Sequence, residues 1–236
     1  MIKVSIIIPT YNEAKNLPFL VEEIFKSINK EKIDLELIIV DDNSPDDTGK
    51  IADDLSKMYS MQVIHREGKL GLGSAVREGF AHSSRDYLGV MDGDLSHDPK
   101  ILNDLIECLD SYDITVGSRF EVESSVEKWN WRRKFISHSG VAAARVLTKI
   151  KDPLSGYFFM RRKVIDNIKL STKGYKILLE IMVKGNYGQF KEIPFTFRLR
   201  KYSVSKLNYK EYLLFLQQLI DYTIYKIFKK NARNKR

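Results

Sequence analysis

Five short segments in the first half of the chain are apolar at nearly every position, and they lie between segments with helical periodicity. Each is rich in Ile and Val and shows little polar alternation, which is typical of strands buried on both faces of a parallel sheet. The predicted strands cover residues 4–8, 35–40, 61–65, 87–91 and 113–116.

Helical patterns separate these strands. Asp46 or Asp47 could cap the second helix, and Pro99 suits the first turn of the fourth. Because strands and helices alternate, we expect βαβ units and a doubly wound α/β sheet, largely parallel and flanked by helices. The predicted helices cover residues 14–29, 47–58, 72–82 and 99–109.

The alternation is less regular after Arg119. The pattern predicts a long helix at 132–148, a polar turn at 151–156, a strand at 157–160, a helical pair, and a strand at 189–197. Residues 199–206 are basic and polar. From Tyr209 to about Phe228 the chain is apolar and helical, and a basic tail follows. We therefore expect one large domain over residues 1–206 and a C-terminal apolar helix with its tail over residues 207–236.

Composition and charge narrow the possible partners. The 236 residues carry a formal net charge of +8, which favours nucleotide phosphates, acidic lipid or nucleic acid. The basic residues are dispersed or terminal and the aromatic residues form no stacking platform, which argues against a nucleic-acid-binding module. Cys108 is the single cysteine, so no internal disulfide forms and a reducing compartment is favoured.

The termini and the hydrophobic runs bear on location. The first apolar run is short and stops at Pro9, unlike a secretory signal. No apolar stretch approaches the roughly 20 residues that a membrane span needs. We expect a cytoplasmic protein, or one bound peripherally to the cytosolic face of a membrane.

Four polar loops directly follow four of the predicted strands. In a parallel sheet these loops emerge at the same carboxyl edge, where ligands bind at a topological switch point. One cleft would then collect several carboxylates, a lysine and glycines. The loops cover residues 9–13, 41–44, 66–71 and 92–94.

Among these loops, the triplet Asp92-Gly93-Asp94 is the most specific indication of function. Two carboxylates at the end of an apolar strand are hard oxygen ligands, and they suit Mg²⁺ or Mn²⁺ carrying a diphosphate. The alternative for this triplet is a solvated turn that binds no ligand. Asp41-Asp42 could likewise be a turn that only caps the next helix. The glycines of residues 68–73 match neither a Walker loop nor a dinucleotide-binding fingerprint.

Taken together, these motifs resemble the family 2 glycosyltransferases, and within them the branch of dolichol-phosphate mannose synthases and related polyprenyl-phosphate sugar transferases. The resemblance spans nearly the whole chain, and the Gln-x-x-Arg-Trp motif of processive polymerases is absent. It implies a GT-A catalytic domain over residues 1–206. The shared segments are IPTYNE at 8–13, VDDNSPD at 40–46, GKLGLG at 68–73, MDGDLSH at 91–97 and GSRF at 117–120, followed by Arg133 with Ser137, Asp152 with Ser155-Gly156, and Arg200 with Ser205-Lys206.

The resemblance implies roles at the donor side of the cleft. Asp92, Gly93 and Asp94 would bind the diphosphate and metal, with Asp94 as the principal metal ligand and as a catalytic residue. Some relatives have a glutamine ligand where this chain has Ser96, a weaker ligand. Lys176, Arg200 and Lys206 would also contact the nucleotide sugar. The nucleoside would be held by Pro9, Tyr11, Glu13, Val40 and Asp42.

On the acceptor side, the resemblance implies that Arg119 and Arg133 act in catalysis by clamping the acceptor phosphate, with Ser137 beside them. An arginine fork donates two parallel hydrogen bonds to phosphate and remains charged. The reaction would be an inverting transfer of a hexose, with mannose from GDP-mannose favoured, to a polyprenyl or dolichyl phosphate. A phosphate acceptor is already a nucleophile and needs no strong base; a sugar-hydroxyl acceptor would need one, with Asp152 as the candidate.

Alternatives remain at this stage. UDP-glucose or UDP-N-acetylglucosamine could be the donor, with either a lipid-phosphate or a saccharide-hydroxyl acceptor. A sugar-nucleotide pyrophosphorylase would also use an α/β fold, but its glycine-rich N-terminal signature is missing. The C-terminal helix could lie on a membrane, meet a small membrane subunit, or pack on its own domain.

Overall fold

A computed structural model describes residues 1–119, 142, 144–171, 176–198 and 209–233. Its centre is a seven-stranded sheet with the strand order β3-β2-β1-β4-β6-β5-β7. The strands are β1 (Ile2–Thr10), β2 (Ile33–Asp41), β3 (Met61–His65), β4 (Tyr87–Val90), β5 (Ile114–Ser118), β6 (Phe158–Arg161) and β7 (Phe190–Pro194).

Alternate residues of each central strand contribute to two different cores, which explains why the strands are apolar throughout. Ile6 and Ile8 of β1 face a core formed with the helices at Leu17–Ser27, Thr48–Ser56 and Leu102–Glu107, whereas Ile7 faces a core formed with the helices at Leu72–His82 and Ile177–Lys184. The expected α/β sheet flanked by helices is therefore confirmed. The helices are α1 (Leu17–Ser27), α2 (Thr48–Ser56), α3 (Leu72–His82), α4 (Leu102–Glu107), α5 (Ile177–Lys184) and α6 (Tyr209–Arg233).

One strand runs against the others. β6 lies between β4 and β5 and is antiparallel to both, while the other strands share one direction. The FFMR sequence of β6 is almost wholly apolar, because the strand is buried on both faces. A continuous apolar run carries no information about strand direction, so the pattern that predicts "largely parallel" cannot locate the exception.

Side-chain hydrogen bonds cap the N-terminal ends of two helical segments. Of the two candidate caps of α2, Asp46 serves: its Oδ1 accepts hydrogen bonds from the backbone N–H of Thr48 at 3.2 Å and from its hydroxyl at 2.5 Å. Asp47 instead adopts a left-handed backbone, with φ at 64°. Pro99 begins a 3₁₀ turn that leads into α4, and the Asp98 carboxylate accepts from the N–H of Lys100 at 3.0 Å.

Some later predictions differ from the structure. The strand predicted at 189–197 ends at Pro194, and the first member of the helical pair is only a 3₁₀ turn at Arg162–Val164. Of the helix predicted at 132–148, the described residues 142 and 144–147 are helical. Within the described ranges, no helix has the length and apolar character needed to cross a bilayer.

The β4–β6 contact generates a stability prediction. Gly89 lies opposite Phe159 in the antiparallel register, and a Cβ at this position would overlap the Phe159 ring. Gly89→Ala should therefore destabilise the fold by about 1–3 kcal/mol, because a fully buried ring must shift. Urea denaturation measures the difference. Gly68→Ala is the control, since a Cβ there meets nothing within 4 Å; equal stability of the two variants would contradict the packing account.

Candidate active site at the carboxyl edge of the sheet

Strands β1 to β4 run parallel, so the loops that follow them meet at one edge, as the sequence predicts. The backbone reverses sharply there. Asn12, Asn43 and Leu95 have φ values of 57°, 53° and 63° in the loops after β1, β2 and β4. For a bulky residue such as Leu95 this conformation costs about 1–3 kcal/mol, and strain of this kind is concentrated at functional sites.

The loop after β4 holds its two carboxylates differently. Asp94 is buried, and its Oδ1 accepts hydrogen bonds from the N–H of Ser96 at 3.1 Å and from the Ser96 hydroxyl at 2.5 Å. The Asp92 side chain is 28% exposed toward the cleft. Its backbone N–H donates to Nδ1 of His97 at 3.0 Å. One carboxylate is thus fixed within the loop, while the other reaches solvent beside it.

His97 lies directly behind these carboxylates. Its ring is 2% exposed and stacks on Tyr157 with centroids 4.8 Å apart, and Phe195 and Phe197 meet it edge-on. Burial lowers the pKa of His97, although the charges of Asp92 and Asp94 act to raise it. Sequence reasoning gave none of the four histidines a role, and the available signal was the position of His97 three residues after Asp94.

The chemistry of the loop fits a divalent cation bound together with substrate phosphates. Mg²⁺ is usually held by one or two carboxylates plus phosphate oxygens rather than by an all-protein cage. Asp92 and Asp94 supply such a pair, and the described ranges contain no cluster of three His, Cys, Asp or Glu that could hold a metal alone. Gly156 approaches closely, since a Cβ there would lie 3.0 Å from Asp92 Oδ1. The Ser96 hydroxyl donates to Asp94, and its role as a ligand stays a prediction.

The loops after β2 and β3 are joined by a buried ion pair. The Arg66 side chain is 4% exposed and bonds to the Asp42 carboxylate and, at 2.7 Å, to the Ser74 hydroxyl. Its Nε lies 2.9 Å from Glu78 Oε2. The second Asp42 oxygen accepts from the N–H of Gly71 at 2.8 Å. Sequence reasoning missed Arg66, whose signal was a basic residue directly after a strand.

The remaining predicted nucleoside residues lie along the same edge. Glu13 is buried; its carboxylate accepts from Asn16 at 2.7 Å, and its N–H donates to the Thr48 hydroxyl at 2.9 Å. The Lys69 ammonium lies 4.1 Å from the centre of the Tyr11 ring. Pro9 and Val40 pair in the β1–β2 register, and the Val40 side chain is in the core, which leaves its backbone for any contact with a nucleoside.

On the other side of Asp92, Arg119 and Asp152 form a two-pronged ion pair. Nε and Nη2 of Arg119 each donate to one Asp152 oxygen at 2.7 Å, and the Arg119 backbone N–H donates at 3.2 Å. Burial acts to lower the pKa of Arg119, but the hydrogen bonds and charge of Asp152, together with the charge of Asp92, raise it overall. The guanidinium is therefore oriented by Asp152 and lies close enough to Asp92 to be affected by its charge.

The predicted site residues that the structure describes form two groups. One lies in β1, β2 and the loops that follow β1, β2 and β4, and the other, Arg119 and Lys176, lies near Asp152. Lys176 reaches the turn beside Asp152, where its ammonium donates to the Leu154 carbonyl at 3.2 Å. Four predicted residues lie outside the described ranges: Arg133, Ser137, Arg200 and Lys206.

A largely parallel sheet with paired carboxylates at its carboxyl edge is the architecture of nucleotide-sugar-binding folds. The chain belongs to glycosyl transferase family 2, whose family model matches residues 5–169. The resemblance seen in the sequence motifs is thus confirmed at the level of the family.

The chain is also similar to individual proteins over most of its length. The chain is 42% identical over 228 residues to a dolichol-phosphate mannosyltransferase of Pyrococcus furiosus, covering 92% of this chain and 64% of the relative, slightly less than two thirds of its length. It is 35% identical to the dolichol-phosphate mannosyltransferase of Saccharomyces cerevisiae, covering 95% of this chain and 88% of the relative.

Among solved structures, the fold resembles a mannosyltransferase from Pyrobaculum calidifontis in complex with GDP-Man and Mn²⁺. The TM-score is 0.62 at 18% identity, covering 96% of this chain and 64% of that structure. At this identity the likeness establishes the shared fold.

The buried Asp42–Arg66 pair generates a prediction. Arg66→Met should destabilise the protein by about 3–5 kcal/mol, because a buried carboxylate loses its partner charge. Adding Asp42→Asn to Arg66→Met should recover part of this loss, since the uncompensated charge is removed. The free energies of unfolding of Arg66→Met, of Asp42→Asn and of the double variant, measured by urea denaturation, form a double-mutant cycle. Additive effects of the two substitutions would show that the pair is not coupled.

Proposed function

We propose that the protein transfers a mannosyl group from GDP-mannose to a polyprenyl phosphate, with inversion at the anomeric carbon. The observation that carries the proposal is the juxtaposition of the Asp92–Asp94 loop with the oriented Arg119 guanidinium. This arrangement suits two phosphate-bearing substrates that meet at one cleft. The names of the Pyrococcus furiosus and Saccharomyces cerevisiae relatives support the lipid-phosphate acceptor and the mannose donor.

On the donor side, the residues hold a nucleoside diphosphate and orient its sugar. Asp92 and Asp94 would hold a divalent cation, Mg²⁺ or Mn²⁺, which when bound supplies positive charge to the leaving diphosphate. The Mn²⁺ in the Pyrobaculum calidifontis structure supports a divalent ion here. Asp42 and Glu13 sit at fixed positions for the nucleoside, because each is held by neighbouring loop residues. Catalysis would then rest on alignment of the two substrates and on stabilisation of the charge on the leaving diphosphate.

On the acceptor side, a phosphate monoester is largely ionised at neutral pH, since its second pKa is about 6. It attacks without a general base and requires positive charge to bind it. Arg119 provides a guanidinium whose plane is set by Asp152. We propose that Arg133 and Ser137, which lie outside the described ranges, complete the acceptor contacts, and that Arg200 and Lys206 contact the donor.

The pairing of Asp152 also bears on the alternative acceptor. A sugar hydroxyl would need a carboxylate base, and Asp152 is the candidate. Both of its oxygens accept hydrogen bonds from Arg119, and the carboxylate is fully buried. Because both oxygens are occupied and shielded from solvent, the carboxylate is not presented to a substrate hydroxyl, which favours the phosphate acceptor over the hydroxyl.

The central test is transfer of radiolabelled sugar into an organic-soluble product. GDP-mannose, UDP-glucose and UDP-N-acetylglucosamine are offered separately with polyprenyl phosphate, with and without Mn²⁺. We expect metal-dependent product from GDP-mannose. Asp94→Asn should lower turnover by about 10³-fold, because the cation that would stabilise the leaving diphosphate loses a carboxylate ligand.

Asp104→Asn, at an exposed position on α4, is the matched control and should keep full activity. Near-normal turnover by Asp94→Asn would contradict the metal assignment. Slow hydrolysis of one donor without any lipid product would leave the nucleotide site standing and remove the acceptor assignment.

We also propose that α6 rests on an acidic membrane surface. One side of α6 packs on α5, where Phe215 and Tyr222 meet Leu179 and Val183. The helix thus does contact its own domain, yet its opposite side keeps an exposed apolar stripe. A basic tail follows, which suits an anionic interface. The stripe consists of Leu213, Leu216, Ile220, Ile224, Ile227 and Phe228, each 47–70% exposed.

Flotation with phosphatidylglycerol vesicles tests this contact. The triple variant Leu216→Ser, Ile220→Ser and Ile224→Ser should bind about 100-fold more weakly, at about 1 kcal/mol for each partly buried side chain. The control is Phe19→Ser with Met58→Ser, which removes exposed apolar residues elsewhere. Equal binding by both variants would refute the helix assignment. Failure of the unmodified protein to bind vesicles would favour recruitment by a membrane subunit instead.

A further inference from the structure

We infer that His97 is a positioning residue that fixes the backbone of Asp92 from behind the Asp92–Asp94 loop. The inference deepens the proposed function and rests on it, because it concerns the side chains that would hold the diphosphate-bound cation. His97 would touch neither substrate nor cation and would act through Asp92.

The hydrogen bond from the Asp92 backbone determines the state of the ring. The Asp92 N–H donates to His97 Nδ1 at 3.0 Å, so Nδ1 presents a lone pair. In the neutral ring the proton is therefore on Nε2. Nε2 lies 3.7 Å from Asp92 Oδ2, which is beyond hydrogen-bonding distance but close enough for the carboxylate charge to act on the ring. The ring therefore holds Asp92 through its backbone N–H and lies beside its carboxylate without bonding to it.

The ring itself has little freedom to move. It lies parallel to Tyr157 at an interplanar angle of 9°, and Phe195 and Phe197 contact it edge-on. The Tyr157 hydroxyl donates to the Asp98 carbonyl at 3.1 Å, one residue beyond His97. A fixed ring is what a positioning role requires, because a ligand whose partner is rigid is itself oriented before the cation binds.

The segment after β7 secures the same loop from the other side. The Arg198 N–H donates to the Ser96 carbonyl at 3.0 Å, and its guanidinium bonds to Asp98 at 2.7 Å and to Glu23 of α1 at 2.8 Å. His97 is therefore held between Ser96 and Asp98, both of which bond to Arg198, and Arg198 is itself bonded to Glu23 of α1. Partners outside the ligands usually affect metal affinity by 10–100-fold when they are removed.

A purely packing role would need only an aromatic ring, and this difference gives the test. His97→Phe keeps a ring against Tyr157 but removes both nitrogens. His97→Asn places an amide oxygen near the Nδ1 position, where it can again accept from the Asp92 N–H, and gives up the stacking. A positioning role predicts that Asn is the better replacement for metal binding, whereas a packing role predicts that Phe is.

The measurement is Mn²⁺ binding to the full chain in the presence of GDP, followed by the electron paramagnetic resonance signal of free Mn²⁺. Binding of GDP without metal is measured in parallel by calorimetry. We expect His97→Phe to weaken Mn²⁺ binding by at least about 10-fold while metal-free GDP binding is unchanged. His97→Asn should recover most of that loss, although it is the less stable of the two in urea. His82→Phe, at an exposed position on α3, is the control.

Three results would overturn the inference. They are wild-type Mn²⁺ affinity in His97→Phe, losses of Mn²⁺ affinity that follow the urea stabilities of the variants, and equal loss of metal-free GDP binding. ¹⁵N NMR of the imidazole provides an independent check, because a proton on Nδ1 would contradict the Asp92 hydrogen bond. If the unmodified protein binds GDP equally with and without Mn²⁺, the proposed metal site fails instead, and the NMR result then decides the role of His97 at Asp92 alone.

Discussion

The carboxyl edge of this sheet depends on one constraint: a carboxylate removed from water must receive hydrogen bonds or a paired charge. Asp41, Asp42, Asp94 and Asp152 are all buried there. Each is satisfied by a nearby loop: Asp41 by Thr10 and Ser44, Asp42 by Arg66 and Gly71, Asp94 by Ser96, and Asp152 by Arg119. The same bonds that make burial tolerable also tie separate loops into one rigid site.

This arrangement leaves Asp92 as an exception, and the exception is informative. Its side chain is partly exposed, and the groups around it belong to different parts of the fold: His97 behind, Gly156 alongside and Arg119 within reach of its charge. A carboxylate that meets solvent while its backbone is fixed can accept a new ligand without reorganising the loop. Preorganised charge of this kind is the largest contribution that many active sites make to catalysis.

The sequence contains part of this design directly. Strand ends rich in Asp and Glu predict the edge at which ligands meet, and apolar runs predict the two-faced sheet. The direction of β6 was not predictable, because a strand buried on both faces has the same pattern in either direction. Arg66 and His97 were not predictable for a different reason. Their importance comes from contacts with Asp42 and Asp92, 24 and 5 residues away along the chain, which only the folded loops create.

The Arg119–Asp152 pair is relevant to how one cleft could bind the two anionic substrates of the proposed reaction. Two phosphate-bearing substrates repel each other, so the proposed reaction needs cationic groups between them. Arginine is protonated throughout the working pH range in any case, and what Asp152 adds is a fixed orientation of the Arg119 guanidinium plane. Asp152 is itself anchored by the N–H groups of residues 151 and 152, which both donate to Glu192 at the end of the sheet. In the proposed reaction, the scaffold would thus orient the cationic group at the acceptor side, whereas a cation that arrives with its diphosphate would supply the charge at the donor side.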